Sequence, residues 1–137
     1  MRGKIFTVPE ANRMVPLVSR IADDIVTTYG EVNRSLQGYE EAKAVAGTDE
    51  DAAVELRRRD ADVAEVLERF QRLIQEIEAL GGTVKDYEHG FIDFYGDVGG
   101  EIVYLCWSRG EAAITHWHRL DEGYGKRRDL PAVTAAA

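Results

Sequence analysis

The sequence predicts an α+β protein: a long antiparallel two-helix hairpin packed at its base on a small three- to four-stranded antiparallel sheet. Two observations carry this. Apolar or small residues recur in alternating steps of four and three at Ala11, Val15, Val18, Ala22, Ile25, Tyr29, Val32, Leu36 and Tyr39, and again at Leu56, Val63, Val66, Phe70, Leu73, Ile77 and Leu80; such stepping is a heptad seam. From Thr83 onward the period becomes alternating and glycines punctuate it, as in short strands joined by turns.

Folding the chain at Gly47 and Thr48 sets the two seams face to face. Tyr39 then meets Leu56, Val32 meets Val63, Ile25 meets Phe70 and Val15 meets Leu80, while Leu36 faces Arg59, the one rung that fails. The first helix is expected to begin at a capping box, Thr7-Val8-Pro9-Glu10, with the proline in the first turn where its missing amide costs nothing. It should run over 7–46, about 60 Å at 1.5 Å per residue, with Gly30 and Gly38 as soft spots that leave room for a bend. Gly47 should end it as a left-handed cap. The second helix is expected over 48–80, capped by Thr48 with Asp49, Glu50 and Asp51 against its positive end, and stopped by Gly81-Gly82.

A second apolar row occurs only near the start of the first helix (Met14, Leu17, Ile21) and toward the end of the second (Leu67, Ile74). These two ends meet in an antiparallel hairpin, so the base must bury a second face and the tip need not. The cover for the base is the sheet over 83–118. Its strands are expected at 83–87, 91–95, 101–108 and 112–118, with a glycine-rich loop at 96–100 and a tight turn at Arg109-Gly110. Val103, Leu105 and Trp107 should face the helices; Tyr104 and Cys106 should face away. Residues 119–131 read as a loop and 132–137 as a frayed tail, so 1–131 is expected to form one domain.

Composition narrows the function classes. The chain has 137 residues and a formal charge of −8, which argues against a general nucleic-acid or anionic-membrane binder. Its single cysteine, Cys106, excludes an internal disulfide and an all-cysteine metal cage. There is no apolar run of the roughly 18 residues a membrane span needs, and the opening MRGKIFTVPEAN, with two basic residues and no apolar run, is not expected to act as a signal peptide. A prokaryotic cytoplasm is the expected compartment.

Three groups of residues can carry chemistry. His116 and His118, two apart on a strand, point to one face and can share a divalent transition metal, with Glu111, Asp93 and Glu10 as carboxylates to complete it. If Arg109-Gly110 is a two-residue turn, Val103 pairs with His116 and both histidines lie on the helix side near Glu10; a longer turn inverts the assignment. The simpler reading makes them partly buried hydrogen-bonders at a sheet margin. Gly123-Tyr124-Gly125-Lys126-Arg127-Arg128 can form an anion pocket through Lys126, Arg127 and Arg128, or be a solvated basic loop. With the tight turn, Trp117 joins Ile102 and Tyr104 in an apolar patch on the outer sheet face, which a second copy of the chain can cover. Arg57, Arg58 and Arg59 are diluted by neighbouring acids, with Arg59 snorkelling out of the seam. Cys106 is expected simply to pack.

The stretches FTVPEAN, KDYEHGFIDF, LCWSRGE and THWHRLDEGYGKR together resemble an uncharacterised prokaryotic family catalogued as domain of unknown function number 2203, over essentially the whole chain. The family pattern reads close to LVDFP before the glycine loop, whereas Phe94 is followed here by Tyr95. The resemblance implies the order of helices and strands and transfers no catalytic residue. The leading expectation is a non-enzymatic, self-associating interaction or scaffold module, most simply a homodimer, able to take a protein partner through the hairpin or the sheet face. The alternative is a metal-binding protein or small metal-dependent hydrolase built on His116, His118 and nearby carboxylates.

Overall fold

The computed structural model describes residues 4–47 and 49–131. Helix α1 spans Val8–Arg13, α2 spans Val15–Val45 and α3 spans Glu50–Ala79. The strands are β1 (Gly82–Asp86), β2 (Phe91–Val98), β3 (Glu101–Ser108), β4 (His116–His118) and β5 (Arg128–Asp129). The five strands form one antiparallel meander in sequence order, so the sheet has one strand more than the upper expectation. The added strand comes from 119–131, read from sequence as a loop.

The capping box forms as its residues dictate. The Thr7 Oγ1 accepts from the Glu10 amide at 3.2 Å, and the Glu10 carboxylate accepts from the Thr7 amide at 2.9 Å. The first helix is not continuous, however. It breaks at Met14, where the Met14 amide turns back to the Ala11 carbonyl at 3.0 Å. Pro16 is the cause, and the one-helix reading does not weigh it. A proline inside a helix has no amide to donate, and its ring collides with the carbonyl four residues earlier, here that of Asn12. At the start of a new helix neither fault matters, and Pro16 sits in the first turn of α2. Gly30 and Gly38 both lie inside α2.

The hairpin tip also differs in detail. Helix α2 closes at an extended Ala46, and Gly47 is not among the described glycines with positive φ. The expected Thr48 cap lies outside the described residues. Asp49 caps α3 instead, its side chain accepting from the Asp51 amide at 3.2 Å. At the other end Gly81 has φ 97°, the left-handed conformation that ends a helix at low cost in glycine.

Helices α2 and α3 pack along each other as the seam requires. Val18, Ala22, Ile25, Val32, Val66, Phe70 and Ile77 are buried between them and against the sheet. At the failed rung Arg59 escapes sideways: it pairs with Glu55 at 2.8 Å, and its guanidinium passes over buried Gly38, where a Cβ would crowd it. Gly30 has no such duty. A Cβ there meets only the flexible end of Arg34 at 3.4 Å. Gly30→Ala should therefore recover the helix-propensity cost of glycine and stabilise the protein by roughly 0.5–1 kcal/mol. Chemical denaturation checks this, and an unchanged or lowered midpoint speaks against it.

The sheet lays one face on the hairpin base. Ile92, Phe94, Val103, Leu105 and Trp107 point inward and are essentially inaccessible. Phe6 continues this layer, bridging β2 beside Gly96 through bonds of 2.8 Å to the Tyr95 carbonyl and 3.2 Å from the Asp97 amide. The β2–β3 hairpin turns at Gly99-Gly100, with φ 62° and 88°. Two consecutive positive φ angles define the tight turn that matches strand twist. Residues 96–98, read from sequence as loop, therefore belong to the strand.

Candidate functional site

The Gly99-Gly100 turn sets a register in which Asp93 lies opposite Cys106 and Tyr95 opposite Tyr104. All four side chains share the face turned away from the helices. The next register is set differently. Arg109 and Gly110 form the expected two-residue turn, closed by the Glu111 amide on the Ser108 carbonyl at 2.9 Å, but the chain does not pair onward from it; it runs irregularly through 111–115 before β4 begins. Trp107 Nε1 donates to the Glu111 carbonyl at 2.9 Å, and the Glu111 carboxylate accepts from the Ser108 amide at 2.8 Å. Farther along, Asn12 at the helix break accepts from the Ile114 amide at 2.6 Å, and Ile114 is buried.

This longer connection inverts the faces. Tyr104 pairs with His118, Leu105 with Trp117 and Cys106 with His116. His116 and His118 lie on the outer face, not on the helix side. Trp117 turns to the opposite face, where it packs against the core; Ile102 and Tyr104 stay outside and only partly buried.

Three side chains meet on the outer face under the C-terminal loop: Asp93 and His118 are each 2 % exposed and Cys106 1 %. One donor atom from each lies within 4.8 Å of the others. His118 Nε2 is 2.9 Å from Asp93 Oδ2, and His118 Nδ1 is 2.9 Å from the Arg119 carbonyl. The carbonyl can only accept, so Nδ1 carries a proton and Nε2 is the nitrogen turned to Asp93 and Cys106. The second oxygen, Asp93 Oδ1, is buried without a hydrogen-bond partner among the described residues. Burial raises the Asp93 carboxyl above its ordinary value, against the pull of His118. The Cys106 thiol is pushed up to about 12, first by burial and then by the neighbouring Asp93 charge.

The other sequence candidates do not join this cluster. His116 Nε2 pairs with Asp129 at 2.9 Å at the solvent edge of the sheet. Glu111 pairs with Arg127 at 2.9 Å, and Glu10 is in its capping box. Of the three loop cations, Arg127 is held by Glu111, Arg128 forks onto Glu122 at 2.8 and 2.9 Å, and Lys126 is exposed. The loop itself is clamped over the site. The Tyr124 ring stacks on Phe91 at 3.8 Å, and the Arg127 guanidinium lies 4.3 Å from its centre.

Glu122 fastens that loop. The Arg128 guanidinium and then the Arg119 amide pull its carboxyl down to about 2 from an ordinary 4.5. A depressed carboxyl stabilises the fold above its unfolded value and loses that contribution as pH falls toward the folded one. The Glu122 carboxyl resonance should accordingly titrate near 2, and move back toward 4.5 in Arg128→Ala. A wild-type midpoint near 4.5 would contradict the clamp.

Hairpin, meander and a buried Asp–Cys–His cluster under a pinned loop define an α+β protein with a polar site on the outer sheet face. No curated protein and no solved structure matches the chain. A family model described as "Uncharacterized conserved protein (DUF2203)" matches residues 4–130, and the chain belongs to that family. Among the described residues no helix is long and apolar enough to cross a membrane.

Proposed function

We propose that this chain is a metal-binding protein whose site is Asp93, Cys106 and His118, and that Zn²⁺ is the ion it suits best. The observation that carries this is the convergence of three buried donors around an unsatisfied carboxylate oxygen. A carbonyl and a carboxylate both face His118, so a positive charge must sit between Nε2 and Oδ2, either a proton or a metal ion. Metal-ligating histidines hold their other ring nitrogen on a carbonyl or carboxylate in this way. Around tetrahedral zinc, with bonds of about 2.0–2.3 Å, two N or O donors stand about 3.4 Å apart. The 2.9 Å pair thus needs to open by only about half an ångström.

One sulfur, one nitrogen and one oxygen form a borderline-soft set suited to zinc over magnesium or calcium. Three protein donors leave a fourth position open, the pattern of a site that binds an exchangeable group. The exposed large apolar side chains of the hairpin are Leu17, Leu36, Val45 and Val54, and exposed apolar residues of this kind are ordinary on a folded surface and favour no second reading.

Metal analysis of the purified, untagged protein tests this. About one zinc per chain is expected, matching the single three-donor site, together with uptake of Co²⁺ by the metal-free protein that gives thiolate-to-cobalt absorption. Protein that takes up neither ion overturns the proposal. The mass in solution, measured on the same sample, reads the oligomeric state.

A further inference from the structure

The cleft over the three donors, about 290 Å³, is lined from the C-terminal loop by Glu122, Gly123 and Tyr124. We propose that the crown of this loop, residues 123–126, is a flap hinged at Gly123 and Gly125, and that Tyr124 must lift off Phe91 for a metal ion to enter or leave the site. This rests on the metal reading above.

Asp93, Cys106 and His118 all line the cleft, yet none is more than 2 % exposed. An ion needs all three donors at once, so a neighbouring segment must move to admit it. The feet of the loop are fixed. Glu122 accepts from the Arg119 amide at 3.0 Å and forks onto Arg128, and Arg127 is paired with Glu111. The crown between these anchors is held more lightly. It closes on itself through a short 3₁₀ turn, Tyr124–Lys126, in which the Lys126 amide donates to the Gly123 carbonyl at 3.0 Å. Two of its residues are glycines and Lys126 is exposed, so Tyr124 is the side chain that holds it down.

Tyr124 is the latch. It belongs to a stack that runs from the β1–β2 turn to the loop: His89 lies on Phe91 at 5.6 Å, Phe91 on Tyr124 at 3.8 Å, and the Arg127 guanidinium is 4.3 Å from the Tyr124 ring centre. The ring faces are taken up by one another, so the stack closes the site. The glycines beside Tyr124 answer no steric demand of this closed form. A Cβ added at Gly123 or Gly125 would meet nothing within 4 Å, and neither residue has a positive φ. Gly123 is extended, with φ −113° and ψ −171°, a conformation open to other residues. What glycine adds there is backbone freedom, which the closed crown does not use and an opening crown does.

The test is the kinetics of Co²⁺ exchange in the full chain: uptake by the metal-free protein, and release of bound Co²⁺ to excess EDTA, both followed by the cobalt absorption. Tyr124→Ala should speed uptake and release alike, each roughly tenfold or more, with the dissociation constant nearly unchanged, because it alters the population of open flap and not the ion's contacts. The double variant Gly123→Ala/Gly125→Ala should slow both steps, roughly threefold or more, because alanine restricts the open crown more than the closed one. Release that is faster in Tyr124→Ala without faster uptake would mean that the loop serves affinity, and overturns the flap. Wild-type rates in both variants overturn it too. Should Tyr124→Ala fail to fold, the glycine variant decides alone, and unchanged rates there overturn the proposal. In all these cases cobalt is bound and the metal reading stands; a wild-type chain that takes up no Co²⁺ overturns both.

Discussion

Asp93→Asn should abolish metal binding while leaving the fold in place. A carboxamide keeps the shape of the carboxylate and can still partner His118, either accepting from Nε2 or donating to it. It brings no charge to a metal. Affinity should fall by more than the roughly 10–100-fold typical of second-shell changes, because a ligand itself is lost. Stability should change by no more than about 1–3 kcal/mol, the range for altering one buried hydrogen-bonded group. His118→Ala is the harsher variant. It takes the imidazole away from a buried carboxylate that is hydrogen-bonded to it, and removing one partner of a buried pair costs about 3–5 kcal/mol. Loss of metal there is confounded by loss of fold, so Asp93→Asn is the decisive change. His116→Ala is the control: its partner Asp129 is 89 % exposed, and exposed pairs contribute about 0–1 kcal/mol. Metal retained in Asp93→Asn and lost in His116→Ala would reverse the assignment of the site.

The hairpin was legible because its pattern is local and long. Apolar periodicity, the capping box and Gly81 each act within a few residues, and the packed helix pair, the cap and the helix stop are all present, although Leu36 of the expected seam is exposed. Pro16 acts just as locally, and weighing it would have placed the break at Met14. The sheet was half legible. Glycines at 99 and 100 are enough to predict a two-residue turn, and that turn puts residue 93 opposite residue 106. Reading 96–100 as a loop hid this register, and with it the pairing of Asp93 with Cys106. The other half was out of reach. The path of 109–115 depends on Asn12, more than ninety residues earlier in the chain, binding Ile114. No periodicity carries that information, so the face occupied by His118 could not be read from its own strand. Cys106 was accordingly read as packing, when its place beside Asp93 and His118 is what distinguishes it.

The connection over 109–115 also locates the second large effect, at Trp107. The indole is wholly buried between sheet and helices, and its Nε1 donates to the Glu111 carbonyl. Glu111 in turn binds the Ser108 amide and Arg127, whose guanidinium also acts on Cys106. One side chain thus ties the core to the connection that sets the β3–β4 register and to the loop over the site. Trp107→Ala should cost about 3–5 kcal/mol, as for large aromatic deletions in a core. That is a large share of the roughly 5–15 kcal/mol by which domains are stable. Trp107→Phe separates packing from tether: it keeps much of the apolar volume and leaves the Glu111 carbonyl without its buried donor, at about 1–3 kcal/mol. If the tether sets the register, Trp107→Phe should also bind Co²⁺ more weakly than wild type, although it touches no ligand. Stability lowered with cobalt affinity unchanged would mean that Asn12 and the strand pairing hold His118 in place without the indole, and that Trp107 serves the core alone.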